Sequence, residues 1–206
     1  MSVGGEGARS SKGAQTRQAV LRAAIARFGR DGYRAASVAD IARDAEVGAT
    51  VPYAYFSDKE TLFLAAIDED AAGVIEEGCS HLLSNEAFDS DWRQTLIFTL
   101  VEAVDHHPLA RRLLAGLEPH ITDRVLQIPA LEELRKLVAE RLRVEQAAGA
   151  VRNDVDPVKM ANGIVAIMLS LLMSVVQLGT EAVGPYTNDV AAVFTAALDP
   201  PARRKR

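Results

Sequence analysis

The stretch SVADIARDAEVGATVPYAYFSDKE, residues 37–60, reads as a helix, a short break, a second helix and the opening of a third. Ser37-Val38-Ala39-Asp40 is a capping-box variant. It offers a hydroxyl to the exposed first-turn amides and a carboxylate three residues on. Val38, Ile41, Ala42 and Ala45 fall on one face. This helix spans about nine residues, too few to be stable alone, so it has to dock on neighbours. Glu46-Val47-Gly48 breaks it, and a further short helix is predicted over roughly Thr50 to Phe56. Pro52 falls near the second position of that helix, where a missing N–H is harmless. Ser57-Asp58-Lys59-Glu60 is a fuller capping box, and it starts a long helix carrying Leu62, Leu64, Ala65, Ala66 and Ile67 towards Cys79. Two short helices joined by a three-residue turn have helix-turn-helix spacing, in which the second helix enters the DNA major groove.

Upstream, Val20, Leu21, Ala24, Ile25 and Phe28 form one apolar helical stripe. Asp31-Gly32 is expected to end it, with glycine as a left-handed cap. Residues 1–13 are rich in Gly, Ser and charge and read as a disordered arm with a basic root at Arg9, Lys12 and Arg17. Downstream, helices are predicted over 91–105, 109–116, 121–126, 129–148, 157–181 and 187–198. The breaks between them fall at His107-Pro108, Pro119, Pro129, Gly149, Asp156-Pro157 and Gly184-Pro185. No alternating strand pattern exceeds four residues. The expected fold is therefore all-α: a three-helix domain over 14–60, a helical body over 61–200, and a basic tail over 201–206.

Composition agrees with one or two globular domains in 206 residues: 49% apolar and 25% charged. Wholesale disorder, collagen and a disulfide scaffold are excluded, since Cys79 is the single cysteine. The opening MSVGGEGARSSKG has no apolar core and does not read as a secretory signal, so a cytoplasmic protein is expected. The net charge of −5 is unevenly spread. Residues 1–60 carry nine Lys/Arg against seven Asp/Glu, whereas residues 61–200 carry ten against twenty-one. A basic head on an acidic body suits a polyanion-binding part joined to something else.

From Thr16 to Ile67 the chain resembles the DNA-binding domain of tetracycline-repressor-like (TetR family) transcriptional regulators. The matching pieces are AVLRAAIARFGRDGY (19–33), SVADIARDAEV (37–47) and YAYFSDKETLF (53–63). GAVRNDVDP (149–157) is similar, more loosely, to the linker before that family's dimerising helix. The resemblance implies a homodimer on a double-stranded DNA operator, more often repressing than activating. It also implies a small-molecule effector in the body that shifts the two heads and releases DNA. By position, Ser37, Tyr53, Tyr55 and Lys59 match phosphate contacts, and Ala49, Thr50, Val51 and Ala54 match base-edge positions. Lys59 in a first helical turn and tyrosine hydroxyls are chemically suited to phosphate. This sequence departs from the family at three places. Glu46 stands where glycine is usual, Ala49 and Ala54 carry no donor, and Pro52 replaces a larger aliphatic residue. Readout is therefore expected through thymine methyls, Thr50 and DNA shape, with Arg17 or the basic arm in a minor groove. A helical dimeric binding module with little DNA role is the alternative that the apolar reading helix and Glu46 leave open.

Met160 to Leu178 is almost wholly apolar, diluted by Asn162, Ser170, Ser174 and Gln177. Such a helix is buried on every side. Subunit contact through 129–148 and 157–181 is the expected cover, at Leu134, Leu137, Ile164, Met168, Leu171, Leu172 and Val175, rather than a membrane. Pocket candidates are the large or polar residues on apolar segments: Trp92, Phe98, Glu102, Leu113, Leu117, His120 and Met168. Glu102 and His106 lie one turn apart, but a second such pair is absent, so neither a metal nor another cofactor is expected. Cys79 reads as a buried thiol. No phosphate loop, nucleophile elbow or ligand spacing suggests an enzyme.

Overall fold

A computed structural model describes residues 6–83 and 92–200, and among them every regular element is helical. Eight α-helices follow in order: α1 (Glu6–Ala35), α2 (Val38–Asp44), α3 (Lys59–Leu83), α4 (Trp92–His106), α5 (Pro108–Leu114), α6 (Pro129–Ala147), α7 (Pro157–Leu178) and α8 (Thr180–Leu198). Short 3₁₀ segments, Val51–Ala54 and Pro119–Gln127, join α2 to α3 and α5 to α6. The first five residues of the expected arm and the tail over 201–206 lie outside the described residues.

Three boundaries differ from expectation. Helix α1 already runs from Glu6, through most of the stretch expected to be disordered. Extending an existing helix adds one hydrogen bond per residue ordered, whereas nucleating one does not. The second break near the C-terminus falls at Gly179 (φ 89°), not at Gly184-Pro185, and Pro185 sits inside α8. The carbonyl that loses its partner there belongs to Glu181, which is exposed and free to meet water. The helix expected over Thr50 to Phe56 is a single 3₁₀ turn.

Helices α1, α2 and the start of α3 form the head. The stripe Val20, Leu21, Ala24 and Phe28 is fully buried there, against Ile41 of α2 and Leu62 and Phe63 of α3. Helix α3 then leaves the head and packs on α4, α5 and α6. Helices α6, α7 and α8 complete the body, with α7 between the other two. Head and body share one continuous core.

Their junction is tightly specified. Gly29 of α1 lies so close to α5 that a β-carbon would come within 2.8 Å of Pro108 Cβ and 2.9 Å of its carbonyl carbon. Gly32 takes φ 79°, ψ 168°, not the left-handed helical cap expected for it. The kink brings the Tyr33 N–H to the buried Glu118 carboxylate at 3.1 Å, and the Arg112 Nε–H donates to the same oxygen at 2.6 Å. Tyr33, Phe63 and His120 then stack across α1, α3 and the second 3₁₀ segment, at centroid distances of 4.8–6.2 Å.

Helix α5 is held by one buried carboxylate. Asp70 of α3 accepts the N–H groups of Leu109 and Ala110 at 2.9 and 2.8 Å and binds His107 Nδ1 at 2.9 Å. His106 engages Glu77 of α3 at 2.7 Å, not Glu102.

Of the residues expected at a subunit contact, Leu134, Ile164, Met168 and Leu171 are buried inside the single chain. Within the single chain α7 packs on α4, α5 and α6, and Met168 and Leu171 lie against Ile97, Leu100 and Val101 of α4. Leu137, Leu172 and Val175 are half-buried. Helices α7 and α8 leave apolar surface open between them, with Ile167, Leu178, Tyr186 and Val193 42–69% exposed.

Candidate nucleic-acid interface and the cavity behind it

Helix α2 begins as its sequence demands. The Ser37 Oγ accepts the Asp40 N–H at 3.1 Å and donates to the Asp40 carboxylate at 2.7 Å. That hydroxyl bond, and then Arg43, hold the Asp40 carboxyl below the usual carboxylate range. At the other end, the N–H groups of Glu46 and Val47 return to the carbonyls of Arg43 and Ala42 at 3.0 and 2.9 Å. This is a Schellman cap with Glu46 in its left-handed position, at φ 56°. The same bond pattern closes α5 at Gly116 and α6 at Gly149, both glycines with positive φ. Glu46 is thus the strained member of three equivalent caps. Replacing it with glycine is expected to raise stability by about 1 kcal/mol, or roughly 2–4 °C in Tm, measured by thermal unfolding. No gain would mean the turn accommodates Glu46 without strain.

Beyond that cap the chain turns outward. Ala49, Thr50, Tyr53 and Ala54 are exposed, Val51 is half-buried, and Pro52 is buried and anchors the 3₁₀ turn. The anchor continues in Phe56, buried as expected of a core aromatic. The guanidinium of Arg17, on α1, stacks 5.2 Å above that ring, so it stands beside the turn. Helix α3 is capped by Asp58, one residue later than the Ser57 box predicts, with the Thr61 N–H donating to its carboxylate at 2.7 Å. That N–H bond is the main reason the Asp58 carboxyl lies below its ordinary range. Both carboxylates therefore stay charged at neutral pH, and what they contribute is lost as pH falls through those lowered values.

The structure gathers the predicted contact residues at one end of the head but does not leave all of them free. Tyr53 is 54% exposed. Tyr55 is half-buried, with its hydroxyl beside Gly13 of α1. Lys59 Nζ lies 4.6 Å above the Tyr33 ring and 3.5 Å from the Arg34 carbonyl. The hydroxyl proton of Ser37 is committed to Asp40.

Behind the head, α3 to α7 enclose a cavity. Ala71, Val74 and Ile75 of α3 face Leu113 and Leu114 of α5 and Met168 of α7 across it. Its other walls are also apolar, from α4, α6 and Val125 and Ile128. Two of the seven pocket candidates, Leu113 and Met168, line it. Trp92 is buried elsewhere, at the start of α4, and Phe98, Glu102 and Leu117 point to solvent. His120 belongs to the head–body junction. Bulk and polarity, the grounds for expecting these residues in a pocket, do not say which way a helix face points. The cavity holds only about 70 Å³, below the several hundred typical of ligand sites. An open groove of about 710 Å³ between α3 and α6 shares Ile75 and Leu134 with it.

Cys79 borders the groove but is only 2% exposed. Burial pushes its thiol from 9.0 up to about 11. At pH 8 its thiolate population is then about a hundredfold below that of a free thiol. Maleimide labelling of the folded protein is expected to be correspondingly slow and to become fast in denaturant. Rapid labelling of the native chain would contradict this burial.

Comparison with known proteins agrees with the geometry. Residues 20–66 match the family model described as bacterial regulatory proteins, tetR family. No curated protein matches the chain at a significant level. Among solved structures, the chain is similar to a tetR-family transcriptional regulator from Mesorhizobium loti, with TM-score 0.69 and 22% identity over 91% of this chain and 98% of that one. It is also similar to FadR of Bacillus halodurans, a fatty acid degradation regulator, with TM-score 0.66 and 20% identity over 92% and 97%. A gamma-butyrolactone receptor superimposes with TM-score 0.54 and 23% identity over 95% and 94%. The protein therefore has the fold of a tetR-family transcriptional regulator, and its residues 20–66 belong to that family.

Proposed function

We propose that the protein is a ligand-responsive transcriptional regulator: a homodimer on a palindromic operator, released by a small apolar or amphipathic molecule. The observation that carries this reading is the course of α3. Its first residue is Lys59, beside the outward turn, and twelve residues further the same helix lines the apolar cavity at Ala71. At 1.5 Å per residue the two ends are about 18 Å apart on one rigid element. A ligand that swells the cavity pushes directly on the element that orients the head. Release requires that ligand favour the geometry that does not fit DNA, since equal affinity for both shifts nothing.

In this reading Tyr53, Tyr55 and Lys59 hold phosphates, with Lys59 swinging off Tyr33 to do so. Ala49, Thr50, Val51 and Ala54 face base edges, and Arg17 or the start of α1 reaches a minor groove. Ser37 contributes through the helix start it caps more than through its own hydroxyl. The test is selection of bound duplexes from a random DNA library with the purified protein at two salt concentrations. The expected product is a palindrome with half-sites separated by about one helical turn or a small multiple. On that operator, Tyr53→Phe and Lys59→Ala are each expected to weaken binding, and Lys59→Ala alone to reduce the salt slope by about one, because only it removes a charge that displaces counterions. No enrichment at either salt concentration would remove the regulator reading.

A further inference from the structure

The groove between α3 and α6 has an apolar floor and a charged rim. Ala72 and Ile75 of α3 and Ala130, Leu134 and Leu137 of α6 form the floor. Residues 68 to 79 of α3 run along it, about 16 Å at helical rise. That matches the length of a chain of roughly ten to twelve methylenes. Ile75 and Leu134 line both groove and inner cavity, so a tail in the groove lies against the wall that the two spaces share.

The rim carries Asp68, Glu76, Glu133 and Glu140, with Lys136 as its one cation. Lys136 is already held by Glu133 at 2.9 Å. Asp68 is paired with Arg124 at 3.1 Å and Glu140 with Arg143 at 2.9 Å. Glu76 is exposed and makes no hydrogen bond or ion pair among the described residues. An entering head group therefore meets one free carboxylate, while each cation at the rim is already paired. A carboxylate or phosphate head finds repulsion and no partner. A protonated amine finds Glu76 on the rim, next to Ile75 of the floor.

Building on the regulator reading above, we infer that the effector is an amphipathic organic cation. Its apolar tail lies along the groove, against the wall shared with the inner cavity, and its ammonium head pairs with Glu76. Exposed pairs are individually weak, so the charge contributes preference and the tail contributes affinity.

Three probes with one tail separate these contributions: decylammonium, 1-decanol and decanoate, titrated calorimetrically into the full chain at pH 7 and low ionic strength, below their micellar concentrations. Decylammonium is expected to bind about fivefold more tightly than decanol, and decanoate more weakly than both. Glu76→Gln, a change on an exposed position, is expected to bring decylammonium within twofold of decanol and to leave decanol unchanged. Added salt should narrow the preference in the same way. Equal binding of all three, tighter binding of decanoate, or a preference that survives Glu76→Gln would overturn the cation and leave the apolar pocket standing. Binding of none of the three would overturn both this inference and the pocket reading on which it rests.

Discussion

Replacing Asp70 by alanine is expected to lower stability by about 3 kcal/mol, the largest single-residue effect argued for this chain. Asp70 is 4% exposed, and its carboxylate takes both the Leu109 and Ala110 N–H groups at the start of α5 and a bond from His107. Two buried donors left without an acceptor contribute about 1–3 kcal/mol each. The loss of negative charge at a helix N-terminus adds a few tenths more. At this chain length the change corresponds to roughly 6–12 °C in Tm. Asp70→Asn keeps an acceptor in place and should fall between the two. Thermal unfolding of the three proteins decides the matter, and a Tm for Asp70→Ala within 2 °C of the parent would show that water replaces the carboxylate without penalty. The consequence reaches beyond stability. Helix α5 contributes Leu113 and Leu114 to the cavity wall and meets α1 of the head at Gly29. Loosening its first turn therefore loosens the joint between the cavity and the head.

That carboxylate illustrates what the sequence could not disclose. Asp70 stands in an unremarkable run, DEDAA, and its partners are 37 to 40 positions further on. No local pattern marks such a residue. By contrast, features written in neighbouring residues were legible. The cap of α2 on Ser37, the core stripe from Val20 to Phe28 and the unfavourable backbone at Glu46 all depend on contacts within five residues or on one periodicity. The reading turn was half legible. Its place between two helices followed from spacing, but its reduction to one 3₁₀ turn at Pro52 depends on how that proline packs. Pro185 misled for a related reason. A proline breaks a helix only where the lost bond is missed, and at an exposed turn water supplies it.

Helix α7 shows the same limit at larger scale. Its apolar character on every side led to the expectation of cover on every side, and in the single chain Ile167 and Leu178 stay 42% and 69% exposed. Periodicity does not say which face is covered by the chain's own helices and which is left for a second subunit. The structure assigns Ile164, Met168 and Leu171 to the former, and the small and apolar side chains of Gly163, Ala166 and Ile167 remain open. The cavity shows the same limit: Leu113 and Met168 line it, as do Ala71, Val74 and Ile75 of α3, which in the sequence look like ordinary core.

Placing glutamate at both Ile167 and Val193 is expected to split the proposed dimer and to reduce operator affinity at least a hundredfold. The two side chains are 42% and 60% exposed in the single subunit. They lie on stripes of α7 and α8 that also carry Ala166, Ala182, Tyr186 and Ala192, all open to solvent. Contiguous apolar surface on two packed helices is the material of a four-helix contact between copies. Because the positions are exposed, glutamate should change the stability of the isolated subunit by no more than about 0.5 kcal/mol. In a dimer they would place four carboxylates in an apolar seam, where unpaired charge is not tolerated. Two heads on one operator gain about 10²–10⁴ in affinity from being linked, so separated subunits lose that factor and keep their weak affinity for a single half-site. Sedimentation and operator titration of the same preparation read both quantities. Val144→Glu on α6 is the control, since Val144 is exposed but flanked by charged Arg143 and Glu140 rather than by apolar surface. If Val144→Glu dissociates the protein while the double variant stays dimeric, the contact runs through α6 and not through the face of α7 and α8. If neither variant shifts the mass or the affinity, this apolar face has some other partner, and the spacing of the two heads must be set by contacts elsewhere on the body.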